Sequence, residues 1–233
     1  MPHANPPFVL VTGASRGIGA AIADAFAQRG ARLALVARSA DALAAVAERC
    51  ADARAFPCDV TDDEAIASMA DAVRQWGGVP DVVVNNAGLF EPGGLLETSP
   101  DAFRRQLEVN VVSAFLVTRA FWGEMLERGG GRVLMMGSVA SVRGYPGGTA
   151  YGAAKHALLG LARSLREEAK GTGVSVTTLL PGATRTGSWD GTDLPDDRFM
   201  PPEDVARIAV EVASLSPRTV VEEVLLRPDA GDL

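Results

Sequence analysis

A tyrosine and a lysine stand four residues apart in the segment GGTAYGAAKHALLG, residues 147–160. At this spacing Tyr151 and Lys155 share one face of a helix, and only small residues lie between them. A free phenol titrates near pH ~10, and a fixed ammonium nearby favours the phenolate and lowers that pKa. Such a tyrosine can donate a proton to a carbonyl oxygen or accept one from an alcohol. Taken alone, such a pair is more often a chance pair of helical neighbours, so its interpretation depends on the residues around it.

Two further polar residues accompany this pair. Ser138 ends the segment GRVLMMGS, thirteen residues before Tyr151, and its hydroxyl could hold a reacting oxygen. Asn110 lies in an apolar helical stretch, where an amide is costly to bury unless it has partners. Two interpretations of Asn110 stay open. It orients a water or continues a proton path behind Lys155, or it is a buried asparagine whose hydrogen bonds are satisfied.

The elements that must position these residues alternate along the chain. Short apolar, β-branched runs predict strands at 8–13, 32–38, 54–60, 81–88, 131–138, 173–182 and 219–228. Amphipathic segments predict helices at about 17–29, 40–50, 61–76, 101–128, 149–170 and 201–215, the third of them capped by Thr61. This alternation indicates a parallel sheet covered on both faces. We therefore expect one doubly wound, Rossmann-type α/β domain over residues 1–233, with ligands at the carboxyl ends of the strands.

The first strand runs directly into the glycine-rich segment TGASRGIGA, residues 12–20. Glycines at this spacing let the chain turn tightly and let its backbone approach a pyrophosphate, which the N-terminus of the next helix then binds. Lying between a strand and a helix, the motif has the context that nucleotide binding requires. The residues of this loop predicted to bind the cofactor are Gly13, Ser15, Arg16, Gly17, Ile18 and Gly19.

The end of the second strand bears on which nucleotide binds. NAD-type sites place an acid there for the ribose 2′-hydroxyl, whereas this chain has Ala37 and Arg38. Arg16 and Arg38 together suit a 2′-phosphate, although either alone could be a solvated surface residue. The sequence thus predicts NADP(H) as the preferred cofactor, with NAD(H) possible. Asp59, with Val60 beside it, either accepts from the adenine amino group or caps a helix start.

The fourth strand ends in NNAG, residues 85–88, beside the same crevice. Two asparagines at the end of a buried strand need hydrogen-bonding partners. Asn86, Ala87 and Gly88 are therefore candidates for cofactor contact, for a tie between the central strands, or for both.

These motifs together resemble the short-chain dehydrogenase/reductase family. The resemblance rests on TGASRGIG at 12–19, NNAG at 85–88, YGAAK at 151–155 and PGATRT at 181–186, together with Asn110 and Ser138, and it covers essentially the whole chain. It implies a seven-stranded Rossmann-type sheet and hydride transfer to or from a nicotinamide. It also implies a catalytic tetrad, which is Asn110, Ser138, Tyr151 and Lys155. Lys155 would in addition bind the nicotinamide ribose. The segment 181–186 would contact the nicotinamide end of the cofactor through Pro181, Gly182, Thr184 and Thr186.

One feature departs from the family pattern. Many members have a glycine-rich turn after the last strand, whereas this chain ends VLLRPDAGDL, which puts details of assembly in doubt. The long predicted helices at 101–128 and 149–170 resemble the pair that forms subunit contacts in the family. The resemblance therefore implies a homodimer or homotetramer.

The residues that determine substrate specificity are expected in the loops. Candidates are Leu89, Phe90, Arg143, Tyr145, Trp189, Phe199 and Met200. Trp189, in the polar segment 183–200, is either a lid over an apolar substrate or a packing anchor. The acids of that segment are either a solvated face or a feature that disfavours an anionic substrate. His156 points about 100° away from Lys155 around the helix, so we do not expect it on the active face.

Composition narrows the classes of function further. The formal net charge is −7 and the estimated pI is about 4.9, so no basic field attracts nucleic acid or anionic lipid. The N-terminus has no pattern of a secretory signal, and no long apolar run predicts a membrane span, so we expect a cytoplasmic protein. Cys50 and Cys58 are expected to be small hydrophobic residues, and no metal site is predicted. The sequence favours a carbonyl reductase or alcohol dehydrogenase acting on a small molecule. An epimerase, dehydratase or lyase on the same fold, or a nucleotide-binding regulator, are the alternatives.

Overall fold

Strands and helices alternate along residues 6–232, the part of the chain that the computed structural model describes. The strands are β1 Phe8–Thr12, β2 Arg32–Ala37, β3 Ala53–Pro57, β4 Val82–Asn85, β5 Gly131–Met136, β6 Val174–Pro181 and β7 Glu223–Leu226. The helices are α1 Gly17–Gln28, α2 Ala40–Ala47, α3 Asp63–Gly77, α4 Pro100–Leu107, α5 Ser113–Arg128, α6 Thr149–Glu168 and α7 Pro202–Ser214. Residues 1–5, part of the segment that argued against a secretory signal, lie outside the described residues.

All seven strands form one parallel sheet in the order β3-β2-β1-β4-β5-β6-β7. The strand order reverses between β1 and β4, which opens a crevice at their carboxyl ends. The predicted doubly wound, seven-stranded fold is confirmed. The crevice is where the glycine loop and NNAG leave the sheet.

Alternate strand residues face two separate hydrophobic layers, as the two-residue period of a strand requires. Val9 and Val11 of β1 pack with α1, α2 and α7 on one face. Leu10 packs with α3, α5 and α6 on the other. Because both faces are covered, the central strands are mostly apolar, with the buried Ser175, Thr177 and Thr178 of β6 as exceptions.

Several predicted bounds were wrong, among them the ends of the third and fourth strands, which lie at Pro57 and Asn85 rather than at 60 and 88. The helix expected at 101–128 is divided by a π-helical segment, Glu108–Val112, whose middle residue is Asn110. The N-cap of α3 is Asp62 rather than Thr61, because the Asp62 carboxylate accepts from the amides of Glu64 and Ala65. The last strand is shorter than 219–228 and begins at Glu223.

Candidate active site

The loop from β1 to α1 has the backbone that a phosphate cradle needs. Gly13 and Gly17 adopt φ values of +64° and +57°, in the left-handed region that favours glycine. A Cβ on Gly19 would lie 2.2 Å from the Gly13 carbonyl oxygen, so only glycine permits this close packing. Helix α1 has no side-chain cap, whereas Ser39 caps α2 and Asp62 caps α3. Its first-turn amides are therefore available to an anion.

Asn86 ties β4 to β1 beside this loop. Its Nδ2 donates to the carbonyl oxygens of Thr12 (3.0 Å) and Gly13 (3.3 Å). The Thr12 hydroxyl accepts from the backbone amides of Asn86 and Ala87, each at 3.0 Å. Of the two interpretations of NNAG, the structural one is thus realised for Asn86. The tie fixes the distance between the glycine loop and the end of β4.

The two arginines expected at a 2′-phosphate are both exposed. Arg16 reaches the later loop, since a Cβ on Gly187 would lie 3.8 Å from its Nη1. Asp59 accepts from the amide (3.0 Å) and hydroxyl (2.8 Å) of Thr61. These bonds, with a smaller contribution from the charge of Arg38, lower the pKa of Asp59. Asp59 therefore stabilises the turn before α3 and does not cap the helix, whose N-cap is Asp62, and it places a carboxylate near Arg38.

Tyr151, Ser138 and Lys155 meet at the carboxyl end of β5. Ser138 follows the strand in an extended conformation, and its hydroxyl accepts from the amide of Ala140 (3.2 Å). Lys155, on α6, is buried, and its Nζ donates to the carbonyl oxygen of Met136 (2.8 Å). The same Nζ lies 5.5 Å from the centroid of the Tyr151 ring. A strand end and one helical face thus bring a phenol, a hydroxyl and an ammonium together.

The expected lowering of the Tyr151 pKa by Lys155 is not what the structure shows. Burial raises the pKa of Tyr151 to about 12, Ser138 opposes this rise, and Tyr145 adds to it. Burial also lowers the pKa of Lys155 to about 8. The physical reason is that desolvation disfavours both charged forms while the Lys155 ammonium is directed to the Met136 carbonyl. In the chain alone, Tyr151 is therefore a protonated phenol, ready to act as an acid.

Asn110 is a buried residue with satisfied hydrogen bonds. Its Nδ2 donates to the carbonyl oxygens of Leu89 and Gln106, each at 2.9 Å, and its Oδ1 accepts from the Leu89 amide at 3.3 Å. A Cβ on Gly88 would lie 3.1 Å from Asn110 Oδ1 and 3.7 Å from Lys155 Nζ. The amide thus holds the chain after β4 directly beside the ammonium. Asn110 lies in the π-helical segment Glu108–Val112, and such local irregularities often occur at functional sites.

The other predicted cofactor contacts differ in accessibility. Ser15 and Ile18 are half-buried, and three side chains are buried, those of Val60, Pro181 and Thr184. The Thr184 hydroxyl donates to the Gly182 carbonyl oxygen at 3.0 Å, so it supports its own turn. Thr186 lies against the glycine loop, because a Cβ on Gly17 would meet its Cγ2 at 3.2 Å.

The segment 183–200 closes onto the aromatic side of the site. Trp189 lies between Phe90 and Phe199, with ring centroids 6.1 Å and 5.1 Å away. Phe90 in turn contacts Tyr151 edge-on, at 5.0 Å between centroids. Phe199 is buried, and Met200 belongs to a hydrophobic core, so both anchor the segment. Trp189 therefore packs against the buried Phe199 on one side and against Phe90, the neighbour of Tyr151, on the other.

Of the remaining loop candidates, Arg143 is engaged elsewhere, in an ion pair with Asp232 (3.0 Å). The ring of Tyr145 lies over Gly148, where an added Cβ would meet it at 2.5 Å. His156 is exposed, as expected, and its Nδ1 lies 2.8 Å from the Gly152 carbonyl oxygen.

Residues 7–194 match the model of the short chain dehydrogenase family. The chain is a short-chain dehydrogenase/reductase. As such it is an NAD(P)-dependent oxidoreductase acting on alcohol or carbonyl substrates.

Relatives of this short-chain dehydrogenase/reductase include two curated enzymes. It is 38% identical to D-threitol dehydrogenase of Mycolicibacterium smegmatis, over 88% of this chain and 85% of that protein. It is 35% identical to the 3-oxoacyl-[acyl-carrier-protein] reductase FabG of Escherichia coli, over 76% of this chain and 73% of that protein. Their substrates differ widely, so the family alone does not give the substrate.

Solved structures repeat the fold closely. An alcohol dehydrogenase of Thermococcus sibiricus complexed with 5-hydroxy-NADP gives a TM-score of 0.88 at 32% identity, covering 96% of this chain and 97% of that one. A metagenomic short-chain oxidoreductase in complex with NADP gives 0.84 at 34% identity, covering 95% and 96%. The cradle of this oxidoreductase fits such a dinucleotide, since its glycines and the uncapped α1 are what a pyrophosphate needs.

Other features of the described residues lie away from this chemistry. A cavity of about 1010 Å³ opens at the opposite, amino edge of the sheet, beside Val82, Arg132 and Val174. Cys50 and Cys58 are free and buried, as expected, and burial raises the pKa of Cys58 to about 11. Within residues 6–232, no helix is both long and apolar enough to cross a bilayer.

Two residues that support the site were not predicted from the sequence. Thr12 supplies the hydroxyl that holds the amides of NNAG. Gln106 is fully buried; its Nε2 donates to the Glu91 carbonyl oxygen (2.8 Å), and its own carbonyl oxygen accepts from Asn110. A signal for Gln106 existed, because it lies four residues before Asn110, a spacing that places the two side chains on one helical face.

Proposed function

We propose that this chain is an NADP(H)-dependent carbonyl reductase, which interconverts a ketone or aldehyde and its alcohol. The observation that carries the proposal is the meeting of Tyr151, Ser138 and Lys155 at the end of β5, beside the Asn110-held loop. NADP in the solved relatives supports the cofactor assignment.

The roles follow from the chemistry of each group. When bound, the nicotinamide supplies a hydride to the carbonyl carbon. The Tyr151 hydroxyl then gives its proton to the carbonyl oxygen, and the raised pKa keeps that proton available at neutral pH. Ser138 donates to the same oxygen and orients it. The Lys155 ammonium stabilises the phenolate that remains until solvent returns a proton. In the oxidising direction the proton moves from the alcohol to Tyr151.

The cofactor would be held by groups already in place. Backbone amides at the start of α1 bind the pyrophosphate, while Arg16 and Arg38 bind the 2′-phosphate. Asp59, whose carboxylate is kept ionised by Thr61, accepts from the adenine amino group. Lys155 binds the nicotinamide ribose, and the chain at 181–186 borders the nicotinamide.

The proposal is tested by absorbance at 340 nm with a panel of ketones and aldehydes, run in parallel with NADPH and NADH. We expect consumption of NADPH with at least one carbonyl and a lower kcat/KM with NADH. Binding of NADPH without consumption by any carbonyl would instead favour an epimerase, a dehydratase or a regulator.

We also propose a homo-oligomer. Phe115 on α5 is 43% exposed and Leu225 on the edge strand β7 is 51% exposed, so both offer apolar contacts to another copy. Light scattering after size exclusion should give a dimer or tetramer for the wild type. A monomeric wild type would contradict the proposal.

A further inference from the structure

A row of aromatic rings leads from the general acid into the loop 183–200. Phe90 meets Tyr151 edge-on, with an interplanar angle of 78°, and Trp189 lies tilted by 35° to Phe90. Phe199 lies behind Trp189, tilted by 55°. We call Phe90, Trp189 and Phe199 the aromatic wall. It joins the chain after β4 to the chain after β6 at the point where a carbonyl must approach Tyr151.

The aromatic wall is not simply part of the core. Phe199 is 7% exposed, but Phe90 and Trp189 are only partly buried, and neither belongs to the two hydrophobic layers that cover the sheet. Two large rings kept in irregular loops beside an acid–base group offer apolar surface to a ligand. The buried Phe199 fixes the position of Trp189.

Two of the cations around this side of the site have carboxylate partners. Arg185 at the base of the loop pairs with Asp196 at 2.9 Å, and its guanidinium lies 5.3 Å from the Phe199 ring. Arg143, in the loop after Ser138, pairs with Asp232, which also accepts from Arg227 at 2.8 Å. Both cations therefore already have carboxylate partners.

The same loop adds further negative charge. The acids beyond the one paired with Arg185 are Asp190, Asp193 and Asp197, and all three are exposed. A carboxylate or phosphate on the substrate would meet repulsion there and no free guanidinium on Arg185 or Arg143. The ring faces of Phe90 and Trp189 themselves offer no hydrogen-bond partner to the hydroxyls of a polyol.

Resting on the proposed reductase function, we propose that the substrates are uncharged ketones with an aromatic or similarly flat apolar group on the carbonyl carbon. Phe90 and Trp189 hold that group and determine specificity. The flat group packs against the two rings, which turns the carbonyl oxygen toward Tyr151 and Ser138. This substrate class differs from the one in the name of the D-threitol dehydrogenase relative.

The test compares kcat/KM with NADPH for matched carbonyls. Methyl benzoylformate and benzoylformate share a ring and differ in charge, erythrulose is the polyol counterpart, and propanal is the small control. We expect the neutral aromatic ester to exceed both the carboxylate and erythrulose by at least about tenfold. Equal or reversed values would overturn the substrate class. If no carbonyl at all is reduced, the proposed function itself fails, so the two failures are distinguishable.

Variants of the wall test its role directly. Trp189→Ala and Phe90→Ala should each raise KM for the aromatic ester about tenfold or more and lower kcat/KM for the ester more than for propanal. Trp189→Phe should recover most of the affinity, because a flat ring is restored. Leu194→Ala, in the same loop but outside the wall, is the control for loop disruption. Equal effects of Leu194→Ala and Trp189→Ala, or equal losses for propanal and the ester, would overturn the assignment.

Discussion

The ammonium of Lys155 donates a hydrogen bond to the carbonyl oxygen of Met136 at 2.8 Å, so β5 fixes the charge that faces Tyr151. This bond spans from α6 to the last residue of the strand and leaves the ammonium 5.5 Å from the Tyr151 ring centroid. The lysine is only 4% exposed, and burial lowers its pKa to about 8. The fold thus keeps the Lys155 ammonium in a buried position, where desolvation lowers the stability of the folded state. Such destabilising groups are common at functional sites.

Lys155→Met should therefore separate stability from activity. The folded-state pKa of Lys155 lies below its value in an unfolded chain, so the unfolded chain binds more protons between about pH 8 and pH 10.5. Across that window the stability of the wild type rises with pH relative to the variant. At pH 7 we expect the variant to unfold with a free energy equal to the wild type or higher by up to about 3 kcal/mol, while reductase activity is lost.

Urea unfolding at pH 7 and pH 9.5, combined with NADPH assays, measures this effect. The gap between variant and wild type should narrow at pH 9.5. A variant that is less stable than the wild type by more than about 2 kcal/mol at pH 7 would show that the Met136 bond outweighs the burial cost.

The pH dependence of turnover should follow the titration of Tyr151 and Lys155. Tyr151, with a pKa of about 12, stays protonated through the neutral range, whereas Lys155 loses its proton above about pH 8. Carbonyl reduction should hold a plateau below pH 8 and decline above it, because the phenolate then lacks its stabilising charge. Alcohol oxidation needs the phenolate and should rise toward alkaline pH. Initial rates from pH 6 to 10 at constant ionic strength check both limbs, and a reduction rate that is flat to pH 10 would exclude a role for the Lys155 charge.

The sheet could be predicted from the sequence because its signals are local. Apolar runs ending in glycine or asparagine mark strand ends, and parallel strands bring those ends to one edge. The π-helical segment around Asn110 could not be predicted, since it depends on hydrogen bonds from Asn110 to Leu89, distant in sequence. The predicted direction of the Tyr151 pKa shift was wrong for a related reason. Helical spacing indicates that Tyr151 lies near Lys155, but it does not indicate the burial that has the largest effect on the pKa.

Tyr151→Phe should remove the proton donor without removing the ring. We expect kcat to fall by at least about a thousandfold, while the Kd for NADPH changes less than threefold, because the hydroxyl is lost but the contact with Phe90 is kept. Tyr145→Phe is the matched control, since the chain has only two tyrosines, and it should keep most of its activity. Stopped-flow reduction and fluorescence titration with NADPH provide the two values. Substantial turnover by Tyr151→Phe would refute the assignment of the acid.

Arg38→Asp should shift cofactor preference toward NADH. The change removes a cation proposed for the 2′-phosphate and introduces a carboxylate where a ribose 2′-hydroxyl could be accepted. We expect the ratio of kcat/KM for NADPH over NADH to fall by about tenfold or more. Arg218→Asp, an exposed arginine between α7 and β7, makes the same change in net charge and controls for the overall field. If both variants shift the ratio equally, the 2′-phosphate is not bound by Arg38.

Asn110→Ala distinguishes the two interpretations that the sequence left open. The change leaves the Leu89 amide and two buried carbonyl oxygens without their partner, so we expect a loss of about 1–3 kcal/mol in unfolding free energy. Gln106→Ala disturbs the same network one turn away and makes the informative comparison. If Asn110 acts by holding the chain beside Lys155, both variants should lose stability and kcat together. If it carries a proton path, Asn110→Ala should lose far more kcat than Gln106→Ala at equal stability, and a solvent isotope effect on kcat should change only in that variant.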